Sequence, residues 1–140
     1  MVRKASAVWK GGLKDGKGTV SSDSGVLQST PYNFVQRFED APGTNPEELI
    51  GAAHAACYSM QLSGVLGKSN ATAESIETKA SVTFEKLDVG FTINRIHLDV
   101  VAKIPGITPE AFLKAAEEAK RICPISRVLN TTITLEAKLA

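Results

Sequence analysis

The chain has 140 residues, long enough to bury roughly 68–70% of its unfolded surface in one domain without a disulfide staple. Sixteen basic residues stand against fifteen acidic ones, with no basic block or aromatic-basic stripe, so nucleic acid is not an expected partner. Met1 to Ser6 has a positive start but no apolar run behind it. No stretch approaches the roughly 20 apolar residues of a membrane helix, so the expectation is a cytoplasmic protein with no membrane partner.

The first third is rich in glycine and serine. Short β-like runs over Ala5 to Lys10 and Thr19 to Val26 are punctuated by Gly11, Gly12, Gly16, Gly18 and Gly25, which mark turns. Tyr32 to Phe38 is aromatic and partly alternating, which predicts a strand. Asp40 to Thr44 is a loop around Pro42-Gly43.

A helix is expected from Pro46 to Leu66. Asn45 suits the N-cap, Pro46 the first helical position, and Glu48 completes an Asn-x-x-Glu capping box. Glu47 and Glu48 complement the positive end of the helix dipole. Gly51, Ala52, Ala53, Ala55 and Ala56 make the interior small and apolar on almost every face. Such a helix belongs in a core or at a tight interface.

Two long strands follow, Ser75 to Leu87 and Phe91 to Ile104, joined by a turn at Asp88-Val89-Gly90. In the second, Ile96, Leu98, Val100, Ala102 and Ile104 share a face, while Phe91 and Ile93 fall on the other parity. That slip predicts a bulge near Asn94. Thr108 and Pro109 start a further helix, Cys123-Pro124 breaks it, and Pro124 to Leu129 restarts it. Alternation from Thr132 to Lys138 predicts a last strand. The order implies an α+β fold with an antiparallel sheet wrapped on central helices.

Two cysteines stand out, Cys57 inside the alanine-rich helix and Cys123 at a helix start, 66 positions apart. They cannot form a secreted-type framework, and in a reducing compartment a disulfide would be transient. For Cys57 the plain alternative is a small buried hydrophobe. Its apolar setting would raise the thiol pKa, and it lies too far from its helix start for the dipole to help. A cation would be needed, and Arg3, Arg37, Arg95, Arg121 and Arg127 are all candidates by sequence. Cys123 could aim its sulfur at the free N–H groups of the helix it precedes, or merely end the previous one. His54 shares a face with Cys57. With Cys123 the two could hold zinc, a weak signal without any Cys-x-x-Cys. His97 reads as a solvated or hydrogen-bonded histidine. With no Ser/His/Asp signature, phosphate loop or dinucleotide fingerprint, neither a cofactor nor a metal is expected.

The run Gly43-Thr44-Asn45-Pro46-Glu47-Glu48-Leu49-Ile50-Gly51-Ala52-Ala53-His54-Ala55-Ala56-Cys57, together with Cys123-Pro124-Ile125-Ser126, closely resembles the OsmC/Ohr family of osmotically inducible and organic hydroperoxide resistance proteins. Gly16 to Val20, Ser24 to Leu27 and Arg37-Phe38-Glu39 look like the OsmC branch. The resemblance covers nearly the whole chain and implies a single OsmC-like domain over 1–140. It implies a thiol-dependent peroxidase that reduces organic hydroperoxides, with Cys57 peroxidatic, Cys123 resolving, Arg37 the activating cation and Glu47 its bidentate partner. It further implies an external dithiol reductant, lipoyl-type in the Ohr branch, and an intertwined homodimer. Spacing agrees on the dimer: Glu47 and Cys57 are ten residues apart on one helix, roughly 15 Å along its axis, too far for one chain to serve both. Phe34, Phe38, Tyr58 and Met60 are the apolar groups nearest these residues and are candidates for a lining that favours an alkyl tail. A sensor or ligand-binding module of the same fold, without turnover, is the competing reading.

Overall fold

The computed structural model describes residues 1–39 and 41–140, so Asp40, placed in a loop above, lies outside the described residues. The chain divides into two compact units, Met1–Leu49 and Ile50–Ala140, with the boundary inside the long helix.

The first unit is a small antiparallel sheet. β1 (Ala5–Lys10), β2 (Lys17–Ser22) and β3 (Thr30–Tyr32) pair in the order β1-β2-β3. β2 starts two residues earlier than the sequence suggests and stops at Ser22, because Asp23 to Leu27 turn back on a Ser22 N–H to Leu27 carbonyl bond. Gly18 is therefore inside the strand and not at a turn. It pairs with Trp9 on one side and Tyr32 on the other. A Cβ there would come within 2.6 Å of both rings, whose centroids are 5.5 Å apart. Only glycine lets the two aromatics close over the strand.

Tyr32 to Phe38 is not a strand. β3 ends at Tyr32, and Asn33 caps a one-turn helix, α1 (Phe34–Phe38), by accepting the Gln36 N–H at 3.0 Å. Phe34 and Phe38 then sit four residues apart on a helix face and stack at 4.6 Å. The aromatic content that suggests β structure is here an i,i+4 pair.

α2 (Pro46–Gly67) begins where its caps predict, with the Asn45 side chain accepting the Glu48 N–H at 2.8 Å. In the second unit Tyr58, Leu62 and Leu66 form its buried stripe. On the same side Gly51 lets β4 (Ser75–Leu87) approach, its Cβ position 3.4 Å from Val82. Ala52, Ala53, Ala56 and Met60 on the rest of the helix are exposed.

β5 (Gly90–Lys103) pairs antiparallel with β4, and the register slips between Thr83 and Phe84 so that Asn94 has no partner. The expected bulge is there. Ile96, Leu98, Val100 and Ala102 are all at or below 1% exposure, facing the helices as their parity requires. α3 (Pro109–Ile122) is capped by Thr108, and α4 (Pro124–Val128) follows after Cys123. β6 (Thr132–Leu139) then joins β5 in parallel, giving the order β4-β5-β6. This sheet is mixed where an antiparallel one was expected. Alternation reveals a strand's faces but not its direction, and the α3–α4 segment is the long crossover that a parallel neighbour needs. The fold class is α+β as read.

Candidate functional site

The sulfur pair is built entirely within the second unit. Cys57 precedes Tyr58, which anchors α2 by donating its hydroxyl to the Ala116 carbonyl of α3 at 3.1 Å. One position off the buried stripe, Cys57 is only partly covered. Cys123 is fully buried at the α3–α4 junction, its own N–H closing α3 on the Ala119 carbonyl. The two Sγ atoms lie 3.2 Å apart as free thiols, with Cys123 donating to Cys57. A disulfide bond is about 2.05 Å long, so closure needs a shift of only about an ångström.

Burial pushes the Cys57 thiol above its ordinary range. The backbone N–H of Ile125 opposes this by hydrogen bonding to the sulfur, while negative charge on Cys123 pushes Cys57 up further. The hydrogen bond with Cys123 likewise pushes Cys57 up, so of these two neighbours the Ile125 amide is the one that favours its thiolate. The start of α4 therefore serves Cys57. Cys123 itself makes no side-chain cap bond to that helix, so of its two readings the structure favours the cysteine that ends α3. The direction of the shift is the one the apolar setting implies.

Arg37 and Glu47 form a second constellation, within the first unit. Arg37 Nε and Nη2 donate to the same oxygen, Glu47 Oε1, at 3.1 and 3.0 Å. The clasp is a fork onto one oxygen and not the bidentate pair expected. Glu47 is 9% exposed, and its Oε2 has no hydrogen-bond partner among the described residues. The guanidinium lies over the Phe38 ring at 5.3 Å. Trp9, Leu13, Tyr32, Phe34, Arg37 and Phe38 line an open groove of about 270 Å³. Of the four suggested lining residues, Phe34 and Phe38 are in it. Tyr58 is instead fully buried core, and Met60 is 78% exposed.

His54 is fully buried, and its Nε2 meets Ser126 Oγ at 2.7 Å. Among the described residues His54, Cys57 and Cys123 do not bring their ligand atoms together into a metal-holding group. Burial lowers the His54 pKa, so it is neutral near pH 7. His97 is hydrogen-bonded as read, Nδ1 to Thr134 at 2.6 Å and Nε2 to Asp99 at 3.3 Å. Ile125 and Ser126 lie in the second motif, whose residue types assign them no role. The signal was the proline before them, which leaves free amides at the helix start.

The OsmC-like protein family model matches residues 38–138. The chain belongs to the OsmC family. It is 51% identical over 137 residues to Peroxiredoxin OsmC of Escherichia coli (strain K12), covering 98% of this chain and 96% of that one. It is 31% identical to Organic hydroperoxide resistance protein OhrB of Bacillus subtilis (strain 168), covering 86% of this chain and 89% of that one. The solved structure of OhrB of Bacillus subtilis superimposes with a TM-score of 0.69 at 25% identity over 98% of both chains. An OsmC-like protein of unknown function from Vibrio cholerae shares the fold, with a TM-score of 0.77 at 19% identity over 98% of this chain and 99% of that one. Among the described residues of this OsmC-family chain, no helix is long and apolar enough to cross a membrane.

Proposed function

We propose that this chain is a thiol-dependent peroxidase that reduces organic hydroperoxides to alcohols, with its two units acting as one OsmC-like domain over 1–140. The observation that carries the reading is the 3.2 Å approach of two free thiols in a chain half identical to a peroxiredoxin. The Cys57 thiolate attacks the distal oxygen of ROOH. An S–O bond forms, the O–O bond breaks, and the alkoxide leaves and takes a proton from water. Sulfur has lost two electrons and the peroxide has gained them.

The Cys123 sulfur then attacks the Cys57 sulfenic acid. The S–S bond forms, the S–O bond breaks, and hydroxide leaves as water with the proton of Cys123. An external dithiol of the lipoyl type returns both cysteines to thiols and becomes a disulfide itself. Arg37 is the cation that Cys57 lacks, and it also stabilises the leaving alkoxide. Glu47 orients it. The groove beside Arg37 takes the organic tail, whose burial favours alkyl and aryl hydroperoxides over hydrogen peroxide.

The working form is a homodimer. Ten positions of one helix separate Glu47 from Cys57, which argues that a site using both draws them from different chains. The exposed small-residue face of α2 and the fully exposed β1 supply surface for such a pairing.

Turnover of cumene hydroperoxide with a dithiol tests the reading in wild type, Cys57→Ser and Cys123→Ser. Cys57→Ser should be inactive. Cys123→Ser should give one turnover with a dithiol unable to reduce a sulfenate. A wild-type protein that oxidises once and does not cycle with any dithiol is a sensor, and the proposal fails.

A further inference from the structure

The geometry points to His54 and Ser126 as a clamp that positions the resolving segment, Cys123 to Ile125, on the reactive sulfur. For its functional meaning this rests on Cys57 being the peroxidatic thiol, but its geometry and one of its tests do not. α4 has five residues, none of them fully buried, its only core contact is Ile125, and its capping residue contributes no side-chain bond. So short a helix does not hold its own orientation. Two polar contacts pin its first turn to α2. The Ile125 amide faces Cys57 Sγ, whose pKa it lowers, and Ser126 Oγ bonds to His54 Nε2 at 2.7 Å. The partners are neighbours on both sides: Ile125 and Ser126 are consecutive, and His54 and Cys57 are one helical turn apart.

The imidazole is costly where it stands. It is 0% exposed, and its Nδ1 has no hydrogen-bond partner among the described residues. Burying a half-satisfied ring in a stretch otherwise made of alanines gains nothing that an apolar side chain would not supply more cheaply. What it does supply is a fixed distance to Ser126. Whichever atom carries the proton, that bond sets the rotation of α4 at which the Ile125 amide faces Cys57 and Cys123 sits 3.2 Å away. His54 is a positioning residue: it touches neither substrate nor sulfur and acts through Ser126.

Without the clamp, two things follow. The thiolate loses its amide donor. The sulfenic acid also waits longer for Cys123, so a second hydroperoxide can intercept it. In that side reaction another S–O bond forms, the second O–O bond breaks, and Cys57 becomes a sulfinic acid while ROOH becomes ROH.

The first test uses no peroxide. Iodoacetamide labelling of Cys57, followed by peptide mass across pH, reads its thiolate fraction in the full chain. Ser126→Ala should slow labelling at neutral pH about tenfold and move the profile to higher pH. Ser126→Thr, which keeps the hydroxyl, should restore it. His54→Gln, which keeps a polar nitrogen, should fall between. The double variant Ser126→Ala/His54→Leu should be no slower than the worse single one, because both remove the same bond.

The second test is the ratio of sulfinic acid to disulfide after one cumene hydroperoxide pulse, expected to rise at least about fivefold in Ser126→Ala. An unchanged profile in folded Ser126→Ala overturns the clamp, as do strictly additive effects in the double variant. Should Ser126→Ala fail to fold, a Ser126→Thr profile displaced as far as that of His54→Leu overturns it equally. A wild-type chain that does not consume hydroperoxide sinks the peroxidase reading, while the labelling profiles still decide the clamp.

Discussion

The two units carry different halves of the proposed chemistry on very different foundations. The sulfur pair belongs to Ile50–Ala140, where eleven residues from Tyr58 to Cys123 form one buried apolar cluster. The Arg37–Glu47 pair belongs to Met1–Leu49, where among the described residues no apolar side chain is fully buried and all six residues of β1 are exposed. A three-stranded sheet whose first strand is exposed and whose other two are mostly half-covered gains little burial to offset the entropy of ordering it. The contrast teaches that the sulfur chemistry can be positioned by one chain's own core. The arginine's support stands on a sheet that one chain leaves largely open, and the dimer proposed above would cover it.

That contrast is most easily broken at α2. Ala56→Arg places a charged side chain on the exposed small-residue face. It should give a monomer in sedimentation and lower hydroperoxide turnover on the order of 10²–10³-fold, the cost of losing the electrostatic partner. Oxidation with diamide should still close the Cys57–Cys123 disulfide, because that pair is built within the second unit. A monomeric Ala56→Arg with full turnover would show that the arginine reaches the sulfur without a partner chain.

Arg37→Lys sharpens the same point with a smaller change. Lysine keeps the charge but loses the fork whose two nitrogens share Glu47 Oε1. We expect kcat/KM to fall by about 10–100-fold. The melting temperature should change little, because lysine still offers a positive charge to the buried Glu47 carboxylate. Equal activity in Arg37→Lys would leave charge alone as the requirement.

The units should also differ in how they answer to truncation. Leu62→Ala empties a fully buried position and should cost about 2–5 kcal/mol in urea unfolding. Val8→Ala in β1, made in the monomeric background, should stay within about 0.5 kcal/mol. In the dimeric background it should cost more, and that difference reports whether β1 is covered by the partner.

How much of this was legible beforehand follows from the kind of signal involved. Helix caps at Asn45 and Thr108, and the parity slip at Asn94, are local rules of side-chain spacing, and the structure obeys them. Asn33 carries the same capping chemistry, but the five residues behind it, with their two phenylalanines, imitate a strand and mask it. The direction of β6 and the role of Gly18 depend on partners far along the chain. So does the meeting of Cys57 with Cys123, which their helix settings suggest and the family resemblance implies. The His54–Ser126 bond spans 72 positions and joins two residues that are ordinary on their own.

The smallest effect concerns His54 and pH. Its pKa in the folded chain lies below the ordinary 6.5, because burial disfavours the imidazolium. As pH falls through about 6.5, the unfolded chain takes up a proton that the folded chain refuses. The unfolded state then binds more protons, so stability decreases with falling pH until the depressed folded pKa is reached, and there the loss levels off. The contribution is fully present above 6.5. One such group cannot exceed about 1.4 kcal/mol per pH unit, and a partly screened one should show a fraction of that. Urea unfolding of wild type and His54→Gln between pH 8 and pH 5 isolates it. The stability gap between them should narrow as pH falls, because glutamine has no proton to refuse. A gap that widens on acidification would mean that the charged imidazole is accommodated, with Nδ1 finding an acceptor on protonation.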